Sequence, residues 1–165
     1  MSIEARTPCD IRTYRSPDDA TATFDVFQTA IRQTAASVYE PDQVEAWAGP
    51  ARTDLSNWDT RRREAATLVA EVEGAVVGFA DLTSDGLVDM VFVHPRVGGK
   101  GIARALLTAV IRAARARGLT ELRTFASRSA QPAFERLGFV VVADRPDNMV
   151  RGVAVPNAEM RRNLA

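Results

Sequence analysis

The stretch Val91-Phe92-Val93-His94-Pro95-Arg96-Val97-Gly98-Gly99-Lys100-Gly101-Ile102-Ala103 runs from a β-rich segment through a cluster of glycines into a helical pattern. Gly98, Gly99 and Gly101 all fall in the four positions before that helix. Glycine lets the backbone approach a ligand closely and adopt positive φ. The first turn of a helix carries amides without intrahelical partners, and the helix dipole adds positive potential there. Such a loop suits an anion, above all a pyrophosphate. Lys100, the only lysine among twenty-one Lys and Arg residues, adds a charge at its rim. A flexible connection without a ligand would show the same glycines, so the letters alone leave both readings open. Two nucleotide motifs fit poorly. A P-loop requires Ser or Thr after its lysine, but Gly101 follows Lys100. A Rossmann loop requires an early β-α-β unit and an acid about 20 residues further on. Glu121 stands at that distance, but strands joined by short turns precede the loop.

The surrounding pattern predicts the elements that hold this loop. Ile11 to Tyr14 reads as a short strand. Ser16-Pro17-Asp18-Asp19 reads as a helix start, with Ser16 as N-cap. Ala20, Phe24, Phe27, Ile31 and Ala35 then form one apolar face. Pro41 to Trp47 and Asp54 to Arg63 read as further helical pieces, with Leu55 and Trp58 on one side of the latter. The run Arg61-Arg62-Arg63 reads as a solvated helix face. Thr67 to Val72 and Ala75 to Ala80 are β-rich runs joined at Glu73-Gly74. Leu87 to Val93 is a third strand after the Asp85-Gly86 turn. These three form an antiparallel meander.

Ile102, Leu106, Val110 and Ala113 then share a helix face, closed by Gly118 at C′. Leu119 to Ala126 follows as a strand, placed parallel to the previous one by a right-handed crossover. Ser129 to Leu137 is a short helix, and Phe139 to Ala143 and Met149 to Val155 are the last two strands. The expected fold is α/β (α+β): a mixed central sheet with an N-terminal antiparallel meander, a β-α-β crossover and a C-terminal hairpin, flanked by helices. No stretch rich in Pro, Gly and Ser divides the chain, so residues 1–165 read as one domain.

Composition excludes several classes. Hydrophobic residues make up 46% and charged residues 25%, as in a globular protein. The formal net charge is zero, so the chain as a whole is not read as binding nucleic acid or an anionic membrane. Residues 1–10 show no signal-peptide core, and no apolar run nears the roughly 20 residues of a membrane helix. The single cysteine, Cys9, permits no internal disulfide and points to a reducing, cytoplasmic compartment. Neither a second histidine nor a cysteine accompanies His94, so no metal is expected. His94 itself precedes Pro95, which holds it extended at a strand end, and it is not read as a catalytic base.

The loop and its surroundings resemble the GNAT N-acetyltransferases. Their six-residue loop is Gln or Arg, two variable residues, Gly, a variable residue, then Gly or Ala. Gly98-Gly99-Lys100-Gly101-Ile102-Ala103 fits its last four positions and departs at the first, Gly98. The resemblance extends from Ile11 to Arg161 and includes the Val-His-Pro strand end and Phe134-Glu135-Arg136-Leu137-Gly138-Phe139. The tail Arg151-Gly152-Val153-Ala154-Val155-Pro156-Asn157, with Trp47 and Trp58, resembles the bacterial YafP-like branch.

This resemblance implies an acetyl-CoA-dependent enzyme that acetylates an amine of a small molecule or peptide by direct attack in a ternary complex. The alternative is a CoA-binding sensor or docking module that does not turn over. It implies that the backbone of Val91, Phe92 and Val93 holds the pantetheine arm, and that amides from Gly98 to Ala103 hold the pyrophosphate. Ser127 stands where relatives place an asparagine that bonds the cofactor. Phe134 stands where many place a tyrosine that protonates the departing thiolate, and would pack along the cofactor instead. A thiol of reference pKa about 8.5 leaves without strong proton donation; water or Tyr39 would serve.

Asp89 is the leading candidate for the base or water-positioner, at a place where several relatives carry a glutamate. Strand alternation puts it on one face with Val91 and Val93, and an acid among Val88, Met90 and Val91 is unusual on a buried strand. Glu71 and Asp81 are weaker candidates. Tyr39, Trp47 and Trp58 are candidates for lining the acceptor pocket, or for packing the helices on the sheet. Dimerisation through the late strands is a further expectation of the resemblance.

Overall fold

The structure is a computed structural model, and it describes residues 8–165. The reading of the first residues as free of a leader falls largely on residues 1–7, outside those described. Four strands form an antiparallel sheet in the order β1 (Asp10–Thr13), β2 (Leu68–Val72), β3 (Ala75–Ala80), β4 (Val91–Val93). A second sheet holds β5 (Glu121–Ser127), β9 (Asn157–Asn163) and β6 (Val140–Arg145), with β9 between the other two. A two-residue hairpin, β7 (Met149–Val150) with β8 (Val153–Ala154), lies between β6 and β9 in sequence.

The first sheet is covered on both faces. A bulge opposite Ala70/Glu71 makes Val77 the extra residue of β3. It shifts the side-chain phase, so Val77 and Ala80 face one apolar cluster while Val76 and Phe79 face the other. Helix α4 (Ile102–Ala116) packs on the first cluster through Ile102, Leu106, Leu107, Val110, Ile111 and Ala114, all buried. Burying a Leu, Ile or Val side chain fully contributes about 1.5–3 kcal/mol. Gly78 sets how close α4 comes: a Cβ there would sit 3.1 Å from Leu106 Cδ1 and 3.1 Å from the Phe92 carbonyl oxygen. The expected C′ glycine is present, with Leu119 N–H on the Ala114 carbonyl and Gly118 N–H on that of Arg115. On the opposite face, α1 (Ala20–Thr29) places Phe24 and Phe27 against Phe79 and against Trp58 of α3 (Ser56–Glu64). The short α2 (Pro41–Ala48) is held by a capping box of Glu40 and Gln43.

Four expectations are corrected. Ser16 is not the N-cap of α1. Its hydroxyl donates to Asp59 Oδ2 at 2.6 Å, and Asp19 stands at the cap with its carboxylate drawn back to Arg12 and to Arg15 N–H. The α1 apolar face continues past Thr29, but through a π turn at Ala30–Thr34 and a 3₁₀ turn at Ala35–Ser37. The last strand is β9, not Met149 to Val155. Ala158 and Met160 point inward from it, and it pairs on both edges.

The fourth concerns Leu87 to Val93, which is not one strand. Leu87 bridges Arg123 of β5 in parallel, Val88 N–H donates to the Arg123 carbonyl, and only Val91–Val93 pairs with β3. The chain changes partner at Asp89 and Met90, because the first sheet takes over where Asp81 N–H donates to the Met90 carbonyl. Beyond that point β4 and β5 belong to different sheets, which opens a cleft between them.

Candidate active site

The glycine loop is built from its apolar anchors outward. Val97 and Ile102 are buried, and the exposed run Gly98-Gly99-Lys100 arches between them. His94 serves the turn before it: its Nδ1 accepts from Arg96 N–H at 3.2 Å. Gly101, at φ 85°, is the left-handed residue from which α4 starts. Ala105 N–H is the first to reach back, to the Gly101 carbonyl. The amides of Ile102, Ala103 and Arg104 in the first turn therefore have no intrahelical acceptor. A cavity of about 400 Å³ lies against this turn, and its charged lining residues are Lys100, Arg104 and Arg136. Three cations, no carboxylate and a helix N-terminus suit a polyphosphate. A Cβ on Gly99 would meet nothing within 4 Å, so that face of the cradle is open.

Two further cavities continue from it. One, of about 320 Å³, shares Val93, Gly98, Gly99, Ala103 and Ala133 with the first. It runs along the β4 backbone between the π turn and α5 (Gln131–Arg136). The other, of about 300 Å³, shares Val91, Phe92, Trp47, Ser127 and Phe134 with the second and ends at Asp89. The cleft between β4 and β5 is thus one groove, cationic at one end and carboxylate-bearing at the other.

The structure brings most of the expected residues onto this groove. Ser127 Oγ lies 3.1 Å from Ser129 Oγ at its middle. Phe134 is buried and packs edge-on against Phe139, with centroids 5.0 Å apart. Tyr39 and Trp47 line the far end, ring against ring at 5.7 Å. The Tyr39 hydroxyl donates to the Pro156 carbonyl at 2.5 Å and accepts from Arg128 N–H at 3.0 Å, and burial pushes its pKa up. Its proton is thereby committed to a carbonyl. Trp58 is apart from the groove: it packs among Phe24, Phe27 and Phe79, and its Nε1–H donates to Thr23. Cys9 lies outside it too, and burial pushes its thiol up, away from thiolate.

Of the three candidate acids only Asp89 reaches the groove. It is exposed rather than buried, because the partner change lifts it out of both sheets. Glu71 is held by Arg12 at 2.7 Å. Asp81 is fully buried and lines none of the three cavities. Residues that the sequence reading missed also line the far end, chiefly Phe125, Arg145, Asn148 and Asn157. Three of these come from the segment whose strand boundaries were misjudged.

Asp81 has an unexpected partner. Arg62, read as part of a solvated run, is 2% exposed, while Arg61 and Arg63 face solvent. It lies one helical turn from Trp58 and stacks over that ring at 4.5 Å. Its Nη2 is 3.3 Å from Asp81 Oδ2, and its Nη1 contacts Met90 Sδ. Thr67 Oγ1 lies 2.6 Å from the Arg62 carbonyl and 2.7 Å from Asp81 Oδ1. A hydroxyl carries one proton and a carbonyl none. That one proton is therefore shared between the Arg62 carbonyl and Asp81 Oδ1.

Burial outweighs these partners: it pushes the Asp81 carboxyl up to about 6, against the pull of Arg62 and Thr67. The folded state then holds the carboxyl proton more tightly than the unfolded chain. The contribution is complete below the unfolded carboxylate pKa of about 3.9 and is lost as pH rises through about 6. The stability of the wild type minus that of Asp81→Asn is expected to fall by about 2 kcal/mol between pH 4 and pH 7. Urea unfolding of both proteins across that range measures it; a flat difference rejects the raised carboxyl pKa.

Among the described residues no group of three His, Cys, Asp or Glu is placed to hold a metal, and no helix is long and apolar enough to cross a membrane. Comparison with known proteins agrees with the geometry. The N-acetyltransferase YafP of Escherichia coli strain K12, itself uncharacterized, is 35% identical over 132 residues, covering 80% of this chain and 81% of that protein. A GCN5-related N-acetyltransferase from Rhodopseudomonas palustris is 31% identical and superposes with a TM-score of 0.89 over 99% of both chains. YncA from Salmonella typhimurium, solved with its cofactor acetyl-CoA, is 25% identical with a TM-score of 0.71, covering 96% of this chain and 95% of that one. Residues 35–161 match the acetyltransferase (GNAT) domain family, and the chain is a member of that family of acyltransferases.

Proposed function

We propose that the protein transfers an acetyl group from acetyl-CoA to the amine of a small molecule or peptide, by direct attack in a ternary complex. The observation that carries this is the continuity of the groove, from the cationic glycine loop to Asp89. Amides from Gly98 to Ala103, with Lys100, Arg104 and Arg136, would hold the pyrophosphate. The backbone of Val91–Val93 would hold the pantetheine arm, with Ser127 and Phe134 across the groove. Acetyl-CoA supplies an activated acyl carbon: the acceptor nitrogen bonds to it, the C–S bond breaks, and CoA leaves as a thiolate. Asp89 receives the amine proton directly or through a water, because only a neutral amine attacks. Tyr39 is engaged with Pro156, so water is left to protonate the thiolate. Tyr39 and Trp47 would form the wall of the acceptor pocket. A single buried-leaning cysteine and a CoA substrate fit the cytoplasm.

Calorimetry with acetyl-CoA, followed by CoA release in a mixed-amine screen, tests the reading. Binding together with amine-dependent release is expected. Binding without release from any amine would leave a CoA-binding module.

The remaining expectation is a second copy of the chain. Strand β6 is the free edge of its sheet, and Val140, Val141 and Val142 are 61%, 44% and 48% exposed on it. An apolar free edge is a pairing surface. Light scattering is expected to give a dimer for the wild type and a monomer for Val142→Lys; a monomeric wild type rejects this.

A further inference from the structure

The far end of the groove is sorted by charge. Its lining is aromatic on one side, with Phe27, Tyr39, Trp47 and Phe92. Among the described residues two charged side chains line it, Asp89 and Arg145. They come from different sheets: Asp89 from the segment entering β4, Arg145 from the end of β6.

Arg145 is an unusual cation. Its guanidinium carbon lies 4.2 Å from the centroid of Phe125, so one face is covered by the ring. It has no carboxylate within salt-bridge distance among the described residues. Its one hydrogen bond to a side chain is a long one, Nη1 to Asn157 Oδ1 at 3.4 Å. Stacking occupies the face of a guanidinium and leaves the in-plane N–H groups available. Those N–H groups form a planar fork that matches a carboxylate through two parallel bonds. Pre-stacking on Phe125 also limits the rotamer freedom that such a bond would otherwise cost. Arg123, by contrast, already has Asp85 at 2.8 Å.

We propose that Arg145 is an anion subsite within the acceptor pocket, so that the acceptor is a small amine that also carries a carboxylate. This rests on the acyltransfer reading above. The amine end meets Asp89 and the carboxylate meets Arg145, while the flat apolar walls take the body between them. A cavity of about 300 Å³ admits a molecule the size of an amino acid. A plain alkylamine or a polyamine would leave Arg145 unanswered. A polyamine would also bring added positive charge against it.

The test compares acids with their own amides. L-Phenylalanine and 4-(aminomethyl)benzoate place amine and carboxylate at two different separations; each is assayed beside its carboxamide, with CoA release as the readout. At least one acid is expected to exceed its amide in kcat/KM by about tenfold or more, the order of one lost charge-assisted pair. Arg145→Ala is expected to abolish that preference chiefly through KM, lowering kcat/KM for the acid far more than for the amide, and to leave acetyl-CoA affinity unchanged. Arg145→Lys is expected to restore part of it.

Equal use of acid and amide, or an equal loss of both in Arg145→Ala, overturns the subsite and leaves the enzyme reading intact. Where no probe is acetylated, quenching of Trp47 fluorescence by each probe on the CoA-loaded protein decides. Arg145-dependent binding of an acid but not its amide then supports the subsite, and the mixed-amine screen decides the acyltransfer reading separately. Absence of such binding overturns the subsite.

Discussion

Gly101→Glu is expected to lower acetyl-CoA affinity by about 100-fold or more, which is about 3 kcal/mol of binding. Two effects add. The substitution sets a carboxylate among the amides of Gly99 to Ala103, where a pyrophosphate needs uncompensated positive potential. It also places a side chain at φ 85°, a left-handed conformation that costs an L-residue about 1–2 kcal/mol. Gly101→Ala separates them, since it retains the backbone cost without the charge. It is expected to lower unfolding stability by about 1 kcal/mol and affinity far less than the glutamate does. Calorimetry for binding and urea unfolding for stability read the two effects independently. Near wild-type affinity in a folded Gly101→Glu protein would remove the phosphate role from this loop.

This loop was the most legible part of the chain, and for a local reason. The strand end at Val93, the Pro95 turn, the glycines and the α4 apolar stripe are consecutive in sequence. No distant partner is needed to see that a helix N-terminus opens there. What the letters did not show was the rest of its charge. Arg136 arrives from α5, and Arg104 sits in the first turn of α4 on the side away from its apolar face. The meander was legible through Glu73-Gly74 and the β-rich runs on either side of it.

The failures share a cause, which is competition between partners that are remote in sequence. Leu87 to Val93 is apolar but for Asp89, so period alone cannot reveal that its first half pairs with β5 and its second with β3. Arg62 sits between two exposed arginines, so composition points outward. Its spacing of four from Trp58, read together with the inward Asp81, was the available signal. In β9 the alternation Ala158, Met160 was present, but the charged residues between them hid a strand that is buried by pairing on both edges. Because β9 went unseen, Asn157 was not placed beside Arg145, and the far end of the groove lost its polar wall.

Those same failures bear on Asp89. Had Leu87 to Val93 been one continuous strand, Asp89 would be a buried acid fixed in a ladder. The change of partner instead exposes it at the head of the cleft, one residue before the Met90 that is tied by its carbonyl to Asp81 N–H and by its sulfur to Arg62. Asp89 is thus held by a backbone pinned from behind and lines the far end of the groove. Asp89→Asn is expected to lower kcat about 100-fold at neutral pH, within the range for loss of a positioned base. The amide has nearly the same shape and cannot accept the amine proton. Acetyl-CoA affinity is expected to stay within about twofold of wild type, since the loss lies in the reacting step and not in ground-state binding.

The dependence on pH distinguishes a base from a residue that only shapes the pocket. An alkylamine acceptor has a reference pKa of about 10.4, so its neutral fraction rises roughly tenfold per pH unit below that value. Raising the pH supplies by mass action what a base at Asp89 would supply by proton transfer. The gap between wild type and Asp89→Asn is therefore expected to narrow steadily from pH 7 to pH 9.5. A shape defect would leave it constant. Initial rates of both proteins with one saturating amine across that range decide between the two, and a constant gap would return Asp89 to the part of a residue that only shapes the end of the cleft.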